Sequence, residues 1–230
     1  MIKRVASITL FLVLTLAGSA RAQQGGELPT VAVLDFTGFL LGEAANSEAL
    51  GKAVSSMLIT ELSGRDGLRV IERYRLQDIL TEQSLSLSGR VDEGSAVGIG
   101  QMVGAQYIIH GQITGVGEEI RMDIRAVNVE TSQVMEVHKL TSQMNRLLAA
   151  VVEVADEFGG QLNLTPPSVR TETTTIPVGA TIEFSRGLDM EDQGNVDQAL
   201  THYRRALEIF PDHRDARAAV NRLAGQEEDR

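Results

Sequence analysis

The residues able to do chemistry in this chain are few and scattered. There are four histidines, His110, His138, His202 and His213, and no cysteine. Without a thiol there is no cysteine nucleophile, thiolate ligand or disulfide. A metal site needs convergent ligands, yet no His-x-x-x-His or His-Glu-x-x-His spacing occurs. The glycines of GIGQMVG at 98–104 superficially match a dinucleotide fingerprint. That fingerprint follows a strand and opens a helix, whereas these glycines belong to a short helix that precedes a strand. No Gly-Lys-Ser/Thr loop and no Gly-x-Ser-x-Gly elbow is present. Glu72 and Arg73 stand where a strand passes into a helix. The Arg73 fork could grip a carboxylate across a subunit interface, or form a local ion pair at the helix start, which is the preferred reading. Asp35 reads as a loop acid or a helix cap, with no second catalytic carboxylate paired to it in sequence. The expectation is a protein without catalytic residues, metal or cofactor.

The elements that position these residues read in two blocks. Residues 30–36, TVAVLDF, form a buried apolar strand. Residues 38–47 are rich in Gly and Ala and read as a loop. Leu50, Val54, Met57, Leu58 and Leu62 repeat at helical spacing, with Ser47 as N-cap and Gly64 as the stop. LRVI at 68–71 is a second strand, followed by a helix with Leu76, Ile79 and Leu80 on one side that fades near 88–89. Residues 93–103 form a short helix. Strands then cover 105–114, 119–129 and 134–140. In the middle one Ile120, Met122, Ile124 and Ala126 alternate with Arg121, Asp123 and Arg125, so one face is dry and the other wet. Short connections make these three an antiparallel meander. A helix at 145–162 carries Leu147, Leu148, Val151, Ala155 and Phe158 on one face. The fold class expected is α/β: a mixed sheet with a C-terminal antiparallel meander and packed helices, spanning 30–162.

Residues 1–22 read as a cleaved secretory signal: Lys3 and Arg4, an apolar run at 5–16, and the small-x-small site Ala20-Arg21-Ala22. The apolar run is too short for a transmembrane helix, which needs about 20 residues. The net charge of -10 becomes -13 once Lys3, Arg4 and Arg21 are removed. Such acidity opposes binding to nucleic acid or anionic lipid and favours solubility.

Residues 163–179, rich in Thr and Pro, read as an extended linker. Beyond them, residues 180–213 place Gly187, Ala199, Tyr203, Ala206 and Pro211 at the spacing of a tetratricopeptide repeat, which this segment resembles. Glu183, Arg186 and Met190 depart from that pattern. A further helix bearing Ala216, Ala219, Val220 and Leu223 would cap the hairpin, giving a small all-α helical-hairpin unit over 180–225. One repeat cannot bury its own faces. It must pack on the first block, self-associate or receive a partner. The resemblance implies that Phe184, Leu188 and Glu191, on its first helix, face a partner.

Residues 68–83, LRVIERYRLQDILTEQ, and 105–131, AQYIIHGQITGVGEEIRMDIRAVNVET, resemble the curli-secretion (CsgG-type) family of bacterial envelope proteins, over roughly 31–158. Pore-forming members carry a long membrane-crossing insertion at the place of residues 114–119 and an N-terminal lipidated cysteine. Here TGVGEE stands instead, too short for two membrane strands of about 9–11 residues each, and there is no cysteine. The resemblance thus implies a periplasmic, non-enzymatic assembly or scaffold protein of the cell envelope. Its partners would be envelope proteins, with self-association as a further mode and outer-membrane association arising through partners. The alternative is a ring-forming component of an outer-membrane secretion complex.

Overall fold

The computed structural model describes residues 28–41, 44–82, 91–167 and 175–228. The signal segment, the fading of the second helix near 88–89 and part of the linker lie outside them. The described elements are β1 (Thr30–Val33), β2 (Thr37–Leu40), α1 (Ala44–Ser63), β3 (Arg69–Val70), α2 (Arg73–Glu82), α3 (Glu93–Val103), β4 (Tyr107–Val116), β5 (Glu119–Asn128), β6 (Val134–Gln143), α4 (Leu147–Gln161), α5 (Val178–Asp192), α6 (Val196–Ile209) and α7 (Arg214–Glu228). The chain is a mixed α/β protein with an open sheet of order β3-β1-β4-β5-β6, in which β2 also pairs with β4. β1 and β2 run parallel to β4, while β4, β5 and β6 form the antiparallel meander.

The first strand departs from its expected course. β1 ends at Val33, the chain breaks step at 34–36, and β2 resumes the same row against β4. Gly38 and its neighbours are therefore strand, not loop. The break is stabilised by Ser55 on α1. Its hydroxyl accepts from the Phe36 N–H (2.9 Å) and lies 3.0 Å from the Leu34 carbonyl, so backbone groups that leave the ladder stay satisfied. The helix comes very close here. A Cβ on Gly38 would stand 1.6 Å from the Ser47 carbonyl oxygen, and one on Gly51 1.8 Å from that of Phe36. Those glycines are needed for packing, which composition alone reads as looseness. Helix α1 starts at Ala44, so Ser47 lies inside it. Rather than capping the helix, its hydroxyl accepts from the Leu40 N–H at 2.8 Å.

Two apolar layers enclose the sheet. On one face Ile109, Ile113, Met122 and Ile124 pack with α1 and α4, and the same cluster continues into α5, α6 and α7 through Phe184, Leu188 and Tyr203. On the other face Ala32, Leu34, Ile108 and Val127 meet Leu76, Leu80 and Ile99 of α2 and α3. Helix α3 has the expected limits. Asp92 caps its start by accepting from the Ser95 N–H, and Gly104 ends it at φ +69°. Helix α4 runs through Gly159 and Gly160 to Gln161. Gly159 leaves room for the Arg65 guanidinium, which bonds Asp156 at 2.7 Å. The TGVGEE segment is a tight hairpin: Val116 pairs with Glu119 across Gly117-Glu118, with Gly117 at φ +63°.

Candidate functional site

The C-terminal helices continue the core of the first block. Gly187 permits the α5–α6 approach, because a Cβ there would meet the Tyr203 ring at 2.3 Å. Phe184 lies 5.7 Å from the Tyr203 ring and 4.8 Å from that of His213. Phe184 and Leu188 are buried. Glu191 accepts from the Tyr203 hydroxyl at 2.7 Å and pairs with Arg222 at 2.8 Å. All three border a cavity of about 310 Å³ between α1, the start of α2, α5 and α7. In the single chain Phe184 and Leu188 belong to the core and Glu191 is held by Tyr203 and Arg222. An apolar stripe shows that a helix face must be covered, not by what.

The charged groups join the two blocks. Arg73, at the start of α2, is buried. Its Nε and Nη2 reach the Asp35 carboxylate at 2.9 and 2.6 Å. Its Nη1 and Nη2 reach Asp192, at the end of α5, both at 2.8 Å. Asp192 also receives Lys52 of α1 at 3.0 Å, and Lys52 holds Asp189 at 2.7 Å. Gln77 donates to Asp35 at 3.1 Å. Burial works against these charges, yet the opposed partners win. Arg73 is raised by Asp192 and Asp35, Lys52 is raised by Asp189 and Asp192, and the Asp192 carboxyl is held below its ordinary value by Arg73 and Lys52. Arg73 thus makes the forked carboxylate contact, within one chain and with two carboxylates. Asp35 and Asp192, far apart in sequence, give no spacing signal of this pairing.

A second polar feature is the part of the sheet left uncovered by α2 and α3. There a cleft of about 580 Å³ is lined by Asp35, Glu93, His110, Arg121, Asp123 and Arg125, among others. His110 is buried, and among the described residues its Nε2 has no hydrogen-bond partner. Burial, followed by the charge of Arg125, lowers its pKa, so the ring is neutral near pH 7. Arg121 bonds Asp123 and Arg125 bonds Glu93, so most of the charge is already paired. His202 lies beside Glu183 at 2.7 Å. His213 is packed against Phe184 and Phe210. Of His138 only its place in β6 is described. Among the described residues no group of three His, Asp or Glu could hold a metal ion. None of their helices is long and apolar enough to cross a membrane.

Residues 17–122 match the family model of the curli production assembly/transport component CsgG. The match overlaps the resemblance read from sequence and stops inside β5, short of Phe158. No match is found among curated proteins. Solved structures give further likenesses. The LpoB C-terminal domain from Salmonella enterica is 18% identical, over 50% of this chain and 83% of that one, with a TM-score of 0.36. TolB from Acinetobacter baumannii is 13% identical over 59% of this chain, but the match spans only 28% of TolB, with a TM-score of 0.40. A PelC dodecamer from Paraburkholderia phytofirmans is 14% identical over 56% and 85%, with a TM-score of 0.29.

Proposed function

We propose that this chain is a non-enzymatic assembly or scaffold protein of the bacterial cell envelope, exported to the periplasm and binding other envelope proteins. The observation that carries this reading is the match of residues 17–122 to the CsgG family model. It is supported by the two-residue hairpin at Gly117-Glu118, which leaves no room between β4 and β5 for a membrane-crossing insertion. The helical unit, read as a tetratricopeptide-type hairpin with a capping helix, spends its partner-facing side on α1 and α7. Partners then meet the outer surfaces of the combined body, and outer-membrane association comes through them. The ring-forming alternative has one observation in its favour: β6 is ten residues long and pairs only with β5 among the described residues, so it offers an edge to a second copy.

Removing α5–α7 would strip the core and is a poor test. Photo-crosslinking groups at exposed Leu41, Arg125 and Arg205 of the full chain, irradiated in intact cells, keep the fold. The expected outcome is a reproducible set of envelope proteins joined to at least one position. A chain confined to the cytoplasm, or one that crosslinks to nothing, would overturn the reading. Light scattering of the purified chain separates the alternative, since a strict monomer at high concentration excludes the ring.

A further inference from the structure

The cleft on the sheet face left open by α2 and α3 lies where this topology places ligands. β1 and β3 run side by side and parallel, and the helices that come after them, α1 and α2, cover opposite faces. In an open α/β sheet such a reversal leaves a crevice beyond the carboxyl ends of the strands, where ligands bind. Asp35, two residues past the end of β1, stands there and lines the cleft of about 580 Å³. The cleft continues over β4 and β5, where His110 opposes Arg125 and Gln112 opposes Asp123. Ile108, in step with His110, packs under α2 and α3, so strand alternation turns these four polar side chains to the same side. β4 and β5 each have a paired strand on both edges, which commits their backbone groups to the ladder. Side chains are left to recognise a ligand.

The group that points to a ligand is His110. It is 7% exposed, it lines the cleft, and among the described residues its Nε2 has no hydrogen-bond partner. A buried polar atom left unpaired carries a desolvation cost, which a ligand hydroxyl reaching it would remove. The pair beside it parts easily. Arg125 and Glu93 meet at 3.4 Å, and their side chains are 51 and 54% exposed, so separating them loses little. Charge balance then sets the class of ligand. Asp35 is held by Arg73, Asp123 by Arg121 and Glu93 by Arg125, while Asp92 accepts from the first turn of α3. An ion of either sign would have to compete with one of these partners. Hydrogen-bonding capacity remains for a neutral group. Arg121 gives Nε and Nη2 to Asp123, leaving Nη1, and each carboxylate oxygen has two lone pairs. Planar groups with paired donors or acceptors match two adjacent hydroxyls, as on a sugar ring. Among the described residues no aromatic ring lines the cleft, so a nucleobase has nothing to stack on. A peptide strand finds no open sheet edge there. We propose that the cleft binds a neutral saccharide, with one hydroxyl on His110 Nε2 and two adjacent hydroxyls on the Arg121–Asp123 pair. This goes beyond the scaffold reading and does not depend on it.

The test titrates the full mature chain, carrying isotope-labelled histidine, with mannose, galactose, N-acetylglucosamine and their soluble trimers. The His110 ring nitrogen signal, assigned by its loss in His110→Gln, is expected to move with at least one of these sugars, with a Kd of about 1 mM or tighter. The amino sugar and the uronic acid of the same ring are expected to bind at least tenfold more weakly, because each carries a charge the cleft has already matched. Arg121→Ala is expected to weaken the neutral sugar at least tenfold. Its side chain is 57% exposed, so the fold survives the change. Asp123→Asn serves as a second variant, and unchanged thermal unfolding certifies the fold of each. Sedimentation with isolated cell-wall sacculi separates the two sources of such a ligand. Pelleting that the free sugar displaces assigns the site to a glycan strand, titration without pelleting assigns it to a soluble sugar, and either supports the saccharide class. No movement of the His110 signal with any of the sugars overturns the proposal. So does a charged analogue that binds as tightly as its neutral parent, or binding indifferent to both Arg121→Ala and Asp123→Asn. Failure of the sugars leaves the scaffold reading to its own crosslinking test.

Discussion

Replacing Arg73 with Met tests whether the charged cluster holds the helical unit to the sheet domain. Met fills similar volume and removes the fork. Four hydrogen bonds to Asp35 and Asp192 disappear together. Breaking a buried ion pair by removing one partner costs about 3–5 kcal/mol, because the other charge stays buried and uncompensated. Two features lower that figure here. The Asp35 and Asp192 side chains are 20 and 21% exposed, so water reaches them, and Lys52 still neutralises Asp192. The expected loss is therefore at the lower end, about 3 kcal/mol, read from urea unfolding of the mature chain by circular dichroism at pH 7. Arg73→Lys keeps the charge but cannot fork to both carboxylates, so it should recover only part of the loss. Combining Arg73→Met with Asp192→Asn should reveal a coupling of about 1–3 kcal/mol in a double-mutant cycle. A loss below about 1 kcal/mol, the range of exposed surface pairs, with no coupling to Asp192, would refute the reasoning and reduce the cluster to surface decoration.

Four further outcomes follow from the structure. The Asp192 carboxyl has its pKa lowered in the folded chain, so its contribution is full above about pH 4, the unfolded value, and is lost as pH falls below it. Urea midpoints from pH 6 to pH 3 should show that fall, and Asp192→Asn should flatten part of it. His213 is buried, its pKa is lowered by burial, and its Nδ1 accepts from the Ala216 N–H. The folded state therefore loses stability as pH drops below about 6.5, where only the unfolded ring takes a proton. His213→Asn keeps a capping acceptor and removes the titration, so stability should become less sensitive between pH 7 and pH 5. Gly187→Ala forces the Tyr203 ring away from α5, an overpacking of about 2 kcal/mol, which lowers Tm by about 4–8 °C in a chain of this size. Ser55→Ala leaves the Phe36 N–H buried without its acceptor, costing about 1–3 kcal/mol and speeding hydrogen exchange at that amide.

How much was legible varies with the range of the interaction responsible. The alternation of Ile120, Met122, Ile124 and Ala126 gave β5 its inner face, because a strand's side-chain period is fixed by the backbone alone. Asp92 and Gly104 bound α3 through contacts within a few residues of each end. By contrast β2 was hidden behind Gly38. That glycine is needed only because the Ser47 carbonyl of α1 lies against it, a contact no local pattern announces. The pairing of Arg73 with Asp35 and Asp192 was hidden for the same reason. The three residues come from different elements, and only the docking of α5 brings the last of them in.

The sequence by itself determined the mixed α/β class, the meander, the helical hairpin with Gly187 against Tyr203, and the shortness of the turn between β4 and β5. These rest on periodicity, capping and small-residue spacing, which act within a turn or a strand. The tertiary structure decided what covers each apolar face. Phe184 and Leu188, placed toward a partner by the tetratricopeptide resemblance, lie in the core of the single chain. Other apolar side chains, Phe39, Leu41 and Val116 among them, are left exposed where β2 and β4 finish. Local propensity fixes which faces must be buried, whereas the competition among all faces for cover is settled only when the whole chain has folded.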